Sequence, residues 1–389
     1  MKRILCMGLA FLLLLSGCAP KYDSQEQGGQ KTKDNETKAI IPKYKISDEY
    51  YQTILPFEPS KARGQVVSNL NTRYDMNEME MGLMRIAQES FSPDKYFFKE
   101  GQYLSSKEVK SWLERKYTSD QLKEEKMKES ENLGLNPIDP GKGDIDKRNE
   151  ENPLYLAHIL EHNYMVRKSD DKVGLGGVVI GLALNSTHYY QKEEFGAVFD
   201  TDIPYDEMMA EGKKIAQEVL NRLRKDEDLK NVPITIALYE QQEKNAVVPG
   251  NFVAYTEVGQ GETKISDWEK VNEKYYLFPS SDAEKDHRDD NKLFLNFKQD
   301  IEKYFPNFNG VIGRAYYIDD QLQELKIDIP IQFYGKSEAV GFTQYVAGKV
   351  MELFPDYINV QVSISSVSGQ EALIVRNANE KEPFVHIYQ

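Results

Sequence analysis

Two related stretches decide the fold of this 389-residue chain: Gly176-Gly177-Val178-Val179-Ile180-Gly181 and Gly310-Val311-Ile312-Gly313. Each is a short apolar run bounded by glycine, a composition typical of a buried strand. Each is followed by a tyrosine pair, Tyr189-Tyr190 in the first case and Tyr316-Tyr317 in the second. The two sets lie about 130 residues apart, which indicates a diverged internal repeat.

The residues after each stretch predict the same order of elements. Both copies contain Asp-Ile-Pro, at residues 202–204 and 328–330, and then an amphipathic helix and an alternating strand. The helices carry Ile215, Ala216, Val219, Leu220 and Leu223 in one copy and Tyr345, Val346, Val350, Met351 and Phe354 in the other, and the strands are Val232–Tyr239 and Ile358–Ser365. We therefore predict two tandem diverged β-β-α-β units, at residues 166–285 and 286–389. The alternative is two unrelated α/β domains that have similar residues at the ends of their helices and strands.

The sequence upstream of the repeat predicts helices. Three pairs have the spacing of a capping box: Asp75 with Glu78, Ser105 with Glu108, and Thr118 with Gln121. Asn152-Pro153 has the cap and first-turn chemistry of a further helix, over Leu154–Tyr164. We expect a mainly helical domain at residues 42–165. The predicted fold class is α+β, a helical N-terminal region followed by the two tandem units.

The first residues have the pattern of a bacterial lipoprotein signal. Met1-Lys2-Arg3 precedes an apolar run, Ile4–Leu15, which is about half the length that a membrane-spanning helix needs. Leu15-Ser16-Gly17-Cys18 then reads as a lipobox. We predict a signal peptide at residues 1–17 that signal peptidase II removes between Gly17 and Cys18, after prolipoprotein diacylglyceryl transferase has attached lipid to the Cys18 thiol. A plain cleaved signal and an uncleaved anchor are the alternatives.

Residues 18–41 are predicted to be a lipid-anchored flexible tether. They are rich in Lys, Gln, Gly, Glu, Asn and Thr, a composition that does not offset the entropy of ordering the chain. One acyl chain binds a membrane marginally and two hold firmly. We therefore expect the mature protein on the outer face of the cell membrane, with the lipid on Cys18 as its contact.

Composition excludes several kinds of function. The only other cysteine, Cys6, leaves with the signal peptide, so the mature chain has no disulfide and no cysteine nucleophile. Removing Lys2 and Arg3 leaves 47 basic against 63 acidic residues, a net charge of −16. Nucleic acid would be repelled by such a surface. We predict no nucleic-acid partner and no cofactor.

Several motifs resemble those of the CamS sex-pheromone lipoproteins of Gram-positive bacteria, in addition to the lipobox. They are Arg63-Gly64, the segment Ser68–Asp75, the run Gly82–Gln88, the segment Glu100–Leu104 and the loop Leu133–Pro137. The resemblance covers most of the chain after the tether. It implies no peptidase activity, and we predict a protein without enzymatic activity.

The resemblance also implies a role for the discarded signal peptide. In some family members a membrane protease releases its tail, and recipient cells that carry conjugative plasmids sense the exported peptide. The matching positions here are Phe11-Leu12-Leu13-Leu14-Leu15-Ser16-Gly17. This heptapeptide has no ionisable side chain, so it could fill an apolar receptor pocket. Ordinary signal-peptide debris is the alternative.

One string has the pattern of a catalytic motif. His158-Ile159-Leu160-Glu161-His162 is an H-x-x-E-H sequence on a predicted helix. Two histidines four residues apart on one helical face, with a glutamate beside the second, hold zinc in inverted zincins. A zinc metallopeptidase built on His158, Glu161 and His162 is therefore the alternative function. The other interpretation is that the helix carries the two histidines by chance and that they bind no metal.

The 24 tyrosines favour a binding role for the mature domain, because Tyr presents a flat apolar ring with a polar tip. In a strand, one ring of each doublet points inward and the other outward. We predict that the outward members of Tyr189-Tyr190 and Tyr316-Tyr317 line a cleft between the two repeats. Its ligand, a peptide, a glycan or a partner protein, is left open, as is an envelope protein with no small ligand.

Overall fold

The structure is a computed structural model that describes residues 36–64, 69–304 and 310–389. Its helices are α1 (Arg73–Ser90), α2 (Ser106–Leu113), α3 (Ser119–Glu124), α4 (Ile145–Glu151), α5 (Tyr205–Leu223), α6 (Ser281–Asp286), α7 (Arg288–Tyr304) and α8 (Lys336–Leu353). Its strands are β1 (Glu36–Lys38), β2 (Tyr96–Glu100), β3 (Leu156–Ser169), β4 (Lys172–Asn185), β5 (Thr187–Gln191), β6 (Val198–Asp202), β7 (Ile234–Gln241), β8 (Asn251–Val258), β9 (Glu269–Lys270), β10 (Glu273–Phe278), β11 (Ile312–Ile318), β12 (Gln321–Pro330), β13 (Asn359–Ser366), β14 (Gly369–Arg376) and β15 (Phe384–Ile387).

Two large sheets organise the described residues. The first has the order β2-β3-β4-β7-β8-β9 with β1 beside β4, and the second runs β10 to β15 in sequence order. Each sheet contains one parallel pair, β4 with β7 and β12 with β13, and the remaining pairs are antiparallel. Helices α5 and α8 make the two parallel crossovers. The α+β fold class is therefore confirmed.

The strand-by-strand match between the two units differs from the prediction. The stretch 176–181 lies in β4, which enters the crossover to β7, whereas the stretch 310–313 leads into β11, and the second crossover starts from β12. In the first unit a small hairpin of β5 and β6 stands between the crossover strand and its helix. Glycine and β-branched residues are common in buried strands generally. They therefore could not show whether the second stretch belongs to the strand that enters the crossover or to the strand before it. A common origin of the two units stays a prediction.

Two of the three capping boxes predicted from the sequence are present in the structure. Ser105 and Thr118 cap α2 and α3 with complete capping boxes, as predicted. The N-cap of α1 is Thr72, whose hydroxyl accepts a hydrogen bond from the backbone N–H of Asp75, so Asp75 lies one turn inside the helix. Its carboxylate instead accepts hydrogen bonds from Tyr239 and the backbone of Gly250. Burial makes this residue an anchor between α1 and the first sheet.

The helix predicted over Leu154–Tyr164 is wrong, because all of that range from Leu156 onward lies in strand β3. Both faces of β3 are covered, one by α1 and the other by the layer that contains α2 and α5. A strand buried on both faces shows a nearly continuous apolar run, which periodicity does not separate from a buried helix. The domain boundary drawn at residues 165/166 falls inside β3, so residues 42–165 do not form a helical unit separate from the first sheet.

The predicted tether ends earlier than residue 41. Residues 36–38 form β1, which pairs with β4, and Ile40 exchanges backbone hydrogen bonds with Leu55. Backbone pairing does not require apolar side chains, so composition gave no sign of this strand. The lipobox, Cys18 and the heptapeptide Phe11–Gly17 lie outside the described residues.

Of the four buried clusters in the described ranges, three hold the helices against the sheets. Helices α2 and α5 pack on one face of the first sheet, α1 packs on its other face, and α7 and α8 pack on one face of the second sheet. Gly177 permits the close approach of α1's C-terminal turn, since a Cβ there would lie 2.1 Å from Cε1 of Phe91. Among the helices of the described ranges, none is both long and apolar enough to cross a membrane.

Candidate functional site

A cleft of about 570 Å³ separates the outer face of α1 from the open face of the second sheet. Helix α1 contributes residues that recur at helical spacing, and β10 to β13 form the opposite wall. The volume lies in the range of ligand-binding sites, which are commonly found where two structural layers meet. This inter-sheet cleft is the candidate site.

One arginine joins the two walls of the cleft. The Nε and Nη2 atoms of Arg85 on α1 donate to the two carboxylate oxygens of Glu273 on β10, both at 2.8 Å. Nη2 also donates to Oε1 of Glu78 at 2.6 Å, and the Tyr275 hydroxyl donates to the other oxygen of Glu78, also at 2.6 Å. Bidentate, charge-assisted bonds of this kind are among the strongest that side chains form. We call Arg85, Glu273, Glu78 and Tyr275 the latch.

Aromatic rings line the cleft beside the latch. The rings of Tyr275 and Tyr316 stack with centroids 4.7 Å apart, and the Arg85 guanidinium lies 5.0 Å from the centre of the Tyr316 ring. Across the cleft mouth, the Arg314 guanidinium lies 4.9 Å from the centre of the Tyr74 ring. The Tyr74 side chain remains 37 % exposed. The site therefore offers flat apolar surfaces with cations against them.

The hydroxyl of Tyr316 is buried and has no hydrogen-bond partner in the described part of the chain. Burial raises the pKa of Tyr316, and the nearby Arg85 cation opposes that effect. Burial likewise raises the pKa of Glu78, against the lowering effect of Arg85 and of the hydrogen bond from Tyr275. The latch thus holds its charges in a poorly hydrated environment.

Of the four tyrosines predicted to line a cleft, only Tyr316 does so. Tyr316 lines the cleft, whereas Tyr317 points into the core of the second sheet. Tyr189 and Tyr190 lie on the β5–β6 hairpin, away from the cleft. Tyr190 donates to Asp146 of α4 and stacks on Phe199, so its ring holds the hairpin in place.

The H-x-x-E-H string does not form the predicted helical zinc motif. On β3, His158 and His162 share one face but lie about 13 Å apart along the strand, and Glu161 points to the other face. A helix would have brought the two histidines about 6 Å apart along its axis. The described ranges contain no group of three or more His, Cys, Asp or Glu side chains that could hold a metal ion.

Each member of the string has a structural role instead. Glu161 is buried and accepts hydrogen bonds from the backbone N–H groups of Gln102, Tyr103 and Leu104 and from the side chain of Asn163. The buried ring of His162 packs edge-on against Phe98 at 4.9 Å. Burial lowers the pKa of His158 to about 4 and that of His162 to about 3, so both rings are neutral near pH 7.

Sequence reasoning missed the latch. Arg85 was visible as the single cation in the run Gly82–Gln88, and its spacing from Glu78 places both on one side of a helix. Nothing in the sequence, however, linked either residue to Glu273, which is 188 positions further along the chain.

Comparison with known proteins places this chain among the sex pheromone precursors. The family described as "CamS sex pheromone cAM373 precursor" matches residues 57–382. The chain belongs to this CamS family. No curated protein sequence matches it.

Two solved structures of the same kind are similar to the chain. The C-terminal domain of the sex pheromone staph-cAM373 precursor from Staphylococcus aureus is 34% identical, with a TM-score of 0.72; the match covers 82% of this chain and 98% of that one. A sex pheromone precursor from Lactobacillus salivarius subsp. salivarius UCC118 is 32% identical, with a TM-score of 0.81, and the match covers 90% of this chain and 99% of that one. The family recognised from the sequence motifs is thus confirmed.

Two conservative substitutions distinguish the hydroxyl groups of the latch region. Tyr275→Phe removes the donor to Glu78 and leaves a buried carboxylate oxygen without its partner, so we expect the free energy of unfolding to fall by about 1–3 kcal/mol. Tyr316→Phe removes a hydroxyl that has no partner, and stability should stay unchanged or rise. Urea denaturation measures both, and an equal loss in the two variants would contradict the assigned hydrogen bonds.

Burial of His162 predicts an acid-dependent loss of stability. The unfolded chain binds a proton on this ring near pH 6.5, but the folded chain does so only near pH 3, so the unfolded state holds more protons between those values. Its contribution is complete above pH 6.5 and is lost at about 1.4 kcal/mol per unit as the pH falls. His162→Gln should reduce that slope in urea unfolding, and the exposed His386→Gln should keep it. An unchanged slope in His162→Gln contradicts the prediction.

Proposed function

We propose that this CamS-family chain is a lipid-anchored extracellular precursor. The lipobox at residues 15–18 and the family membership support lipid attachment to Cys18 and removal of residues 1–17 by signal peptidase II. Release of Phe11–Gly17 as a secreted signalling peptide fits the description of the family and the uncharged, apolar composition of that segment. The mature chain would then lie on the outer face of the cell membrane.

For the mature domain we propose a non-enzymatic binding role, with the inter-sheet cleft as its site. The observation that carries this proposal is the cleft itself, a cavity of ligand-binding size with four tyrosines in its lining. A zinc peptidase based on His158, Glu161 and His162 is not favoured, because a strand separates the two imidazoles and turns the glutamate away from them.

Lipidation and peptide release are tested together in one strain series. Metabolic labelling with a fatty acid should tag the parent protein and the Cys6→Ala variant, and Cys18→Ala should carry no label, because the lipid is attached to the thiol of Cys18 before the signal peptide is removed. Mass spectrometry of the medium should find the heptapeptide Phe11–Gly17 from the first two strains and not from Cys18→Ala. Label on Cys18→Ala would refute the lipid anchor. Absence of the heptapeptide from the medium of the parent strain would refute its release.

Ligand binding in the cleft is tested with a reporter thiol. Once lipid occupies Cys18, the processed Met81→Cys chain has a single free thiol, at a position 42 % exposed on the cleft wall. A fluorophore there should respond to members of a panel of short peptides and tetrasaccharides that includes the heptapeptide Phe11–Gly17. The same fluorophore on Val367→Cys, 94 % exposed and outside the cleft, should not respond. Silence of the Met81 reporter toward every panel member would refute a binding role for the cleft.

A further inference from the structure

The walls of the inter-sheet cleft restrict the way in which a ligand binds there. Four of its residues, Arg314, Tyr316, Glu324 and Lys326, come from β11 and β12. Both strands are paired on both sides, so their backbone groups are already used in the sheet. An extended peptide that adds as a further strand needs a free edge, and these two strands offer none; of the two edge strands of this sheet, β10 and β15, only β10 reaches the cleft, through Tyr275.

A helical peptide does not match the cleft either. Helix-in-groove recognition uses a hydrophobic groove that accepts apolar anchors at helical spacing. The aliphatic residues of this cleft are Met81, Met84 and Pro249, and the rest of the lining is aromatic, amide or charged. The side chains that contact a ligand here are therefore mainly polar or aromatic.

The cations that line the cleft are already paired with acids, two of which, Glu273 and Asp328, lie outside the lining. Its lining contains three carboxylates, from Glu49, Glu78 and Glu324, and three cations, from Arg85, Arg314 and Lys326. Each cation has an acidic partner: Arg85 bonds Glu78 and Glu273, Lys326 lies 2.7 Å from Glu324, and Arg314 lies 3.7 Å from Asp328. A charged ligand would have to compete with these pairs, so the site is better matched to an uncharged one.

The remaining groups complement a polyhydroxylated molecule. Asn77, Gln88, Gln323 and Asn359 line the cleft with amides; beyond the bonds that Gln88, Gln323 and Asn359 make to backbone groups, these amides can donate to and accept from sugar hydroxyls. Tyr50 and Tyr74, 40 % and 37 % exposed, offer flat rings on which the apolar face of a sugar ring can stack. We propose that the inter-sheet cleft binds a neutral oligosaccharide. This inference rests on the proposed binding role of the cleft and names its ligand class.

Calorimetric titration of the processed chain with neutral tetrasaccharides of glucose, mannose and N-acetylglucosamine tests the proposal. At least one should bind, with an affinity that changes little between low and high salt, because no net charge is involved. Tyr74→Ala should weaken binding about tenfold, the effect of losing a stacking contact of about 1.4 kcal/mol. Tyr334→Ala, at a fully exposed tyrosine outside the cleft, is the matched control and should bind as the parent does.

The outcomes separate the ligand class from the binding role. If only peptides of the panel bind and Tyr74→Ala weakens them, the oligosaccharide assignment is wrong but the binding role of the cleft stands. Tetrasaccharide binding that Tyr74→Ala leaves unchanged, or that high salt abolishes, also overturns the assignment. If neither class binds at millimolar concentration, both proposals are wrong.

Discussion

The arrangement of the two sheets depends on the bidentate ion pair between Arg85 and Glu273. Glu273 is buried, so its carboxylate would be costly without the guanidinium that lies against it. The same guanidinium holds Glu78, which in turn accepts from Tyr275. Removing Arg85 would leave the buried carboxylates of Glu78 and Glu273 without their cation. These bonds fix the distance between helix α1 and strand β10, and that distance sets the width of the cleft.

Helix α1 can make this connection because it is used on two sides. Its inner face, with Met79, Leu83 and Ile86, packs on the first sheet, and its outer face carries the residues that line the cleft. The buried carboxylate of Asp75 fixes the start of the helix to the end of β7 and the loop before β8. A helix held at its N-terminus and along its inner face is a rigid wall for a site, and rigid elements position side chains more accurately than loops.

The H-x-x-E-H string shows how a catalytic pattern arises from packing alone. β3 is covered on both faces, so its polar residues are buried; Nδ1 of His162 and the hydroxyl of Tyr164 have no hydrogen-bond partner in the described part of the chain, whereas Glu161 is fully bonded. Glu161 finds its partners in three consecutive backbone N–H groups, which bind its carboxylate and fix the segment before α2. The histidines fill space beneath α1 as neutral rings. On a helix, the same residues would have had different neighbours, and the two histidines would have been close enough to bind one zinc ion.

The sequence by itself determined the α+β class, the capping boxes of α2 and α3, the helices and strands of the two crossovers and, through its motifs, the family, because these follow from local patterns of a few residues. It did not determine that residues 156–164 form a strand, since burial on both faces removes the alternation that marks one. The pairing of Arg85 with Glu273, and with it the cleft that Tyr316 shares with Tyr74, was decided only by the tertiary structure. These contacts join residues from distant parts of the chain, and their geometry arises only when the two sheets pack around α1.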